Sequence, residues 1–183
     1  MGVALALNAR MLHKVRDLQG DAILAADGEL GSVDDLVFDD EDWDIRYLVV
    51  NARRWIPGRK VLVSPIAIDR ERTLDEGDIR VDLTREQISR TPAGAGGARL
   101  RSSAEVIGCG IEARDGAIGE VADLVVDDET WEITDVLVDS RRWLPGKLLL
   151  ISPDVIERID WPEKKVHLRL ERRDILQAPE VQL

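Results

Sequence analysis

The chain has 183 residues, a formal net charge of −11 and a pI near 4.7, and 44% of it is hydrophobic. That apolar share is enough for the core of one or two small globular domains. The negative field repels phosphate backbones and anionic lipid surfaces, so nucleic-acid binding and broad membrane adhesion are disfavoured. A single cysteine, Cys109, rules out an intramolecular disulfide and fits a reducing compartment.

Residues 1–9 are mildly apolar but lack the long apolar region and cleavage site of a signal peptide. No stretch approaches the roughly 18 apolar residues of a membrane helix. The expectation is a soluble, cytoplasmic protein. Next comes the turn signal Asp27-Gly28, and then a strand rich in Leu and Val at 30–38. An acidic run, Asp39-Asp40-Glu41-Asp42, interrupts the apolar pattern, and a second strand resumes at 45–51, so the pair reads as a hairpin. A loop at 53–58 ends in Pro57-Gly58, which suits a type II turn. Short strands are predicted at 60–63, 66–69 and 79–83, and a short helix at 85–89. Residues 91–98 are Thr, Pro, Ala and Gly, a flexible coil.

The same order then returns. Strands are predicted at 118–126 and, from Trp131, through Ile133, Val136 and Val138, separated by the acidic run 127–130. A loop at 141–146, a strand at 148–151, another through Val155, Ile156 and Ile159, and an alternating strand through Val166, Leu168 and Leu170 follow, with a short helix at 171–176. The repeat is explicit in the residues. Asp27-Gly28-Glu29-Leu30-Gly31 faces Asp115-Gly116-Ala117-Ile118-Gly119, Trp43 faces Trp131, and Arg53-Arg54-Trp55-Ile56-Pro57-Gly58 faces Arg141-Arg142-Trp143-Leu144-Pro145-Gly146. Beyond Ser64-Pro65, which faces Ser152-Pro153, the second copy has lost one residue. The expected organisation is a first domain at 8–91, a linker at 92–98 and a second domain at 99–179. Each would be mainly β, with about five or six short strands and a short C-terminal helix. At this size a copy buries only a modest core, and packing against its sister would help.

These motifs resemble the PRC-barrel family, which includes the cytoplasmic part of the photosynthetic reaction centre H subunit and the C-terminal domain of the ribosome maturation factor RimM. The likeness rests on the Asp-Gly-x-Leu/Ile-Gly opening, the Asp-Leu-Val-x-Asp strand end, the Arg-Arg-Trp-x-Pro-Gly loop and the Ser-Pro that follows, in both copies. It implies two small β-barrels in tandem used as an interaction or assembly module. The nearest pattern is that of free-standing bacterial proteins with one or two such domains.

The candidate partner contacts are Arg53, Arg54, Trp55, Arg141, Arg142 and Trp143. A guanidinium pair beside an indole, next to a Pro-Gly turn, suits a carboxylate, a phosphate or another protein. The competing reading is that Trp packs over the barrel end and Arg pairs with local acids. The acidic runs Asp39-Asp40-Glu41-Asp42-Asp44 and Asp127-Asp128-Glu129-Glu132 contain Ca²⁺-type ligands, but they lack EF-hand spacing and fit polar hairpin turns. His13 and His167 sit at unrelated repeat positions and have no second group for chelation or acid–base work. No phosphate loop, catalytic triad or Cys-x-x-Cys pair is present, so no cofactor, metal or catalytic residue is assigned. The expected function is a non-enzymatic protein-interaction or assembly scaffold with a protein partner, able also to form a homodimer. The alternative is a small-ligand or ion-binding protein with a stress-related or membrane-adjacent role.

Overall fold

A computed structural model describes residues 11–55, 58–70, 78–90, 99–140, 148–175 and 177–181. The first copy runs β1 (Leu12–Lys14), α1 (Val15–Leu18), β2 (Ala22–Ala25), β3 (Gly28–Asp39), β4 (Ile45–Asn51), β5 (Lys60–Val63), β6 (Ile79–Arg80) and α2 (Arg85–Ser89). The second runs β7 (Leu100–Ser102), α3 (Ser103–Val106), β8 (Gly110–Ala113), β9 (Gly116–Asp127), β10 (Ile133–Asp139), β11 (Leu148–Ile151), β12 (Ile156–Asp160), β13 (Lys165–Leu168), α4 (Arg172–Ile175) and β14 (Glu180–Val181). The chain is mainly β. It forms two barrel-like modules, each built on one sheet, and among the described residues neither sheet closes.

The long hairpins β3–β4 and β9–β10 are the backbone of each sheet. In β3 the buried positions run Leu30, Val33, Leu36 and Phe38, which is not a strict alternation. The register shift against β2, which leaves Leu30 as an extra residue, and the one between Val33 and Asp35 account for this. Each bulge bends the strand and re-aims the following side chains at the core. Near the start of each long strand the backbones come very close. A Cβ on Gly31 would lie 2.1 Å from the Asn51 carbonyl oxygen, and one on Gly119 would lie 1.9 Å from that of Asp139. This is the physical reason for the second glycine of the repeated opening motif.

One predicted strand fails. Residues 66–69 do not continue as a strand, because Pro65–Ala67 form a 3-10 turn whose Ser64 side chain accepts the Ile66 N–H at 3.4 Å. Only Ile68 pairs, through an isolated bridge to Val81, and Ile66 is left exposed. The predicted strand at 79–83 shortens to β6 for the same reason. The last strand, β14, lies beyond the expected domain end and adds to β11, with Leu148 opposite Val181. The expected linker at 92–98 lies outside the described residues.

The short units β1–α1 and β7–α3 were not among the predicted elements, and they carry the main architectural result. β1 does not pair with β3 of its own copy. It pairs with β9 of the second copy, with Leu12 opposite Asp127, His13 opposite Val126 and Lys14 opposite Val125. Reciprocally, β7 pairs with β3, with Leu100 opposite Asp39, Arg101 opposite Phe38 and Ser102 opposite Val37. The two registers are the same after the repeat offset. The helices follow their strands, so α1 packs against β9 and α3 against β3. The buried side chains of both copies form one continuous cluster. Val15, in α1, is fully buried, a burial worth about 1.5–3 kcal/mol for a side chain of this kind.

An interlocked pair has consequences for dissection. Produced as separate polypeptides and mixed, residues 1–91 and 92–183 are expected to recombine into one complex of full mass with a single cooperative melt. The first piece alone is expected to self-associate, because its β3 lacks β7. A monomeric first piece with its own cooperative transition, measured by light scattering and calorimetry, would contradict the exchange.

Candidate protein-interaction surface

The seam between the copies is built around two tryptophans. Trp43 and Trp131 close the tips of the β3–β4 and β9–β10 hairpins with left-handed backbones, φ 63° and 60°, and both indoles are buried. A left-handed residue other than glycine costs about 1–2 kcal/mol. Here it aims each tryptophan carbonyl at the sister copy. The Trp131 carbonyl accepts the Ile45 N–H at 2.8 Å, and the Trp43 carbonyl accepts the Ile133 N–H at 2.9 Å. Asp44 and Glu132 form the bridge between these bonds, so a local pseudo-twofold axis passes through this point. Trp43 also stacks on Phe38, with ring centroids 5.1 Å apart.

The acidic runs are turn-formers. The Asp39 carboxylate accepts the Glu41 N–H at 3.0 Å, Asp127 accepts the Glu129 N–H at 2.8 Å, and Asp42 accepts the Asp44 N–H at 3.0 Å. Their remaining carboxylates face the exchanged strands. Asp40 accepts Arg101 Nε at 3.3 Å, and its repeat counterpart Asp128 lies 3.1 Å from His13 Nε2. The two histidines' lack of repeat partners thus has a structural counterpart: His13 fills a place that Arg101 fills on the other side. Glu41 pairs with Arg99. The aspartates of the Asp-Leu-Val-x-Asp motif hold the sister helices. Asp35 accepts both the Ser102 and Ser103 hydroxyls, and Asp123 accepts the Arg16 backbone N–H. Among the described residues, no group of three or more His, Cys, Asp and Glu converges as a metal-ligand set.

The Arg-Arg-Trp loop is described only in the first copy; Arg141, Arg142 and Trp143 lie outside the described residues. Trp55 is half-buried against the core, with the Arg85 guanidinium 5.6 Å from its ring. Arg54 reaches Glu29 at 3.3 Å but remains 87% exposed, and Arg53 is exposed too. Both arginines border an open hollow with Gly20, Gly31 and Asn51. Cys109 is buried, its thiol donates to the Glu105 carbonyl at 3.2 Å, and burial pushes its pKa up, so it has the environment of a packing residue.

A larger groove of about 820 Å³ opens between the copies. Its walls come from the first hairpin tip, Asp40 to Trp43, and from the second copy's Ser152–Asp154 turn and β12. Trp161 stands at the junction, its indole Nε1 donating to Asp40 at 3.1 Å and its ring lying 4.5 Å from the Arg101 guanidinium. Sequence reasoning missed this groove, because its walls belong to different copies and meet only through the exchange.

The model of the PRC-barrel domain family matches residues 12–88. That span starts at β1 and ends in α2, and so covers one whole copy. Residues 12–88 are thus similar to a PRC-barrel domain. The second copy repeats the elements of residues 12–88 in the same order and with the same cross-copy register, and adds β12 and β14. A search of the curated proteins finds no match to the chain. Among the described residues, no helix is long and apolar enough to cross a membrane.

Burial pushes the Asp123 carboxyl above its ordinary value of 3.8, against the opposing hydrogen bonds from the Leu124 and Arg16 N–H groups and the charges of Arg16 and Lys14. A folded pKa above the unfolded one means that the folded state takes up the proton first. This group's stabilisation is therefore present below the unfolded value and lost as pH rises through the folded value. Asp123→Asn never ionises. The melting temperature of the wild type relative to this variant is expected to rise as pH falls from about 7 to about 4. A difference independent of pH, in melts followed by circular dichroism, would contradict the assignment.

Proposed function

We propose that the protein is a non-enzymatic interaction scaffold in which two PRC-barrel-like modules are locked into one unit that holds protein-binding surfaces at fixed relative positions. The observation that carries this reading is the reciprocal exchange of β1–α1 and β7–α3. Two modules tied by a loose linker would sample many separations, whereas two modules sharing strands and core keep one geometry. A fixed geometry lets a second contact form at high effective concentration once the first is made. The family likeness supports the same reading, since it implies an assembly module, and the acidic balance favours protein partners over nucleic acid. The cytoplasm is the compartment this reading assigns.

The partner contacts in this proposal are Arg53, Arg54 and Trp55 and, by the repeat, Arg141, Arg142 and Trp143. The exposed guanidiniums of Arg53 and Arg54 supply the fork geometry that grips carboxylates. A homodimer through the same loops belongs to the same proposal. Because Trp55 also packs on the core, the arginines make the cleaner test. Combined Arg53→Ala, Arg54→Ala, Arg141→Ala and Arg142→Ala are expected to leave the melting temperature within a few degrees of wild type. The same change should remove the partners captured by affinity purification from the native host, or the dimer seen by light scattering. Unchanged capture and unchanged association state in a folded variant would count against the loops.

A further inference from the structure

The groove between the copies carries a charge pattern that neither copy has alone. On its first-copy wall the carboxylates are already matched. Asp40 is held by Arg101 and Trp161, Glu41 by Arg99, and Asp42 by Arg46. On its second-copy wall they are not. Glu132, Asp154 and Glu157 line the groove, are exposed, and have no cationic partner among the described residues. The two basic side chains of the lining are turned to other tasks: Arg158 lies 3.6 Å from Asp160, and Arg169 donates to the Ile156 carbonyl at 3.4 Å. Behind this wall Asp44 has its pKa raised by burial and then by Asp42, with Glu132 adding to the rise. The groove therefore keeps a net negative charge, since Arg169, whose charge the neutral carbonyl does not cancel, offsets only one of these three carboxylates.

Beneath the charged rim lie apolar groups, Trp43, Ile133, Ile159 and the half-buried Trp161. The groove meets β12 edge-on, since the consecutive residues Ile156, Glu157, Arg158 and Ile159 all line it. Among the described residues, β12 is the terminal strand of its sheet and pairs only with β13. The register shift between Ile156 and Arg158 and the charged pair Glu157-Arg158 guard this edge against continuous strand addition. An occupant is therefore held mainly by side-chain contacts, with cations on the rim and stems or apolar side chains on the aromatic floor.

We propose that this groove receives an extended, lysine- and arginine-rich segment of a partner protein. Charge complementarity selects the occupant. A nucleic acid or an anionic membrane meets repulsion here, and an acidic segment meets it too. The proposal rests on the scaffold reading and gives it one partner chemistry, at a surface that Arg53, Arg54 and Trp55 do not line.

The test is a titration of the full chain into a fluorescein-labelled oligo-lysine peptide at low ionic strength, read by anisotropy. Wild type is expected to bind, and Glu132→Gln, Asp154→Asn and Glu157→Gln combined are expected to weaken binding at least about tenfold. A control with the same change in net charge, Asp17→Asn, Glu86→Gln and Glu120→Gln, none of which lines the groove, is expected to alter it less than about twofold. Circular dichroism melts establish that both variants are folded. Protection of 153–160 from amide exchange on peptide addition is also expected. Equal weakening in the control, absence of wild-type binding, or displacement of the peptide by Ca²⁺ that binds the groove on its own would each overturn the proposal. If the titration fails while partners still depend on the loop arginines, the groove assignment falls and the scaffold reading stands.

Discussion

Everything in this molecule depends on two three-residue strands being in the other copy's sheet. β1 and β7 are too short to hold by backbone bonds alone. Each is secured by the helix that follows it, by an aspartate that accepts hydrogen bonds at the start of that helix, and by a carboxylate at the hairpin tip. Asp35 and Asp40 do this for β7–α3, and Asp123 and Asp128 do it for β1–α1. The left-handed tryptophans complete the lock with carbonyls that point across the seam. Removing one copy strips the other of a strand, a helix and part of its core. The unit of folding is thus the pair, although the unit of the sequence repeat is the single copy.

The exchange also explains why the two halves can diverge in detail without losing register. Val15 and Ser103 occupy equivalent, fully buried places. Ser103 gives its hydroxyl to Asp35, while on the other side Asp123 takes the Arg16 backbone N–H and stays nearly dry. His13 and Arg101 differ likewise, each against an aspartate. Such differences make the surface asymmetric around a symmetric seam. The groove described above draws that asymmetry from Trp161, Asp154 and Glu157, all in the second copy.

Much of this architecture is legible in the sequence, and the parts that are not have physical causes. The hairpins, β5, β11 and α2 announce themselves because alternation, turn residues and the repeat agree on the same boundaries. Residues 66–69 mislead because their two isoleucines are overruled by Pro65 and the Ser64 cap. β1 and β7, Leu-His-Lys and Leu-Arg-Ser, are too short and too mixed to show a period. Their pairing is hidden for a deeper reason. Asp39 and Asp127 are equivalent in the repeat, so no pattern says which of them Leu12 should face. The Arg-Arg-Trp loops stand out in the sequence by composition, whereas the groove cannot, since its walls come together only after the exchange.

Nuclear Overhauser contacts between Hα atoms decide the central question directly, because facing residues in a non-hydrogen-bonded antiparallel pair bring their Cα atoms to about 4.5 Å. In the intact chain, contacts from Leu12 to Asp127 and from Leu100 to Asp39 are expected at each end of the exchange. Contacts from Leu12 to Asp39 and from Leu100 to Asp127 would show each copy keeping its own first strand, and would contradict the interlocked fold.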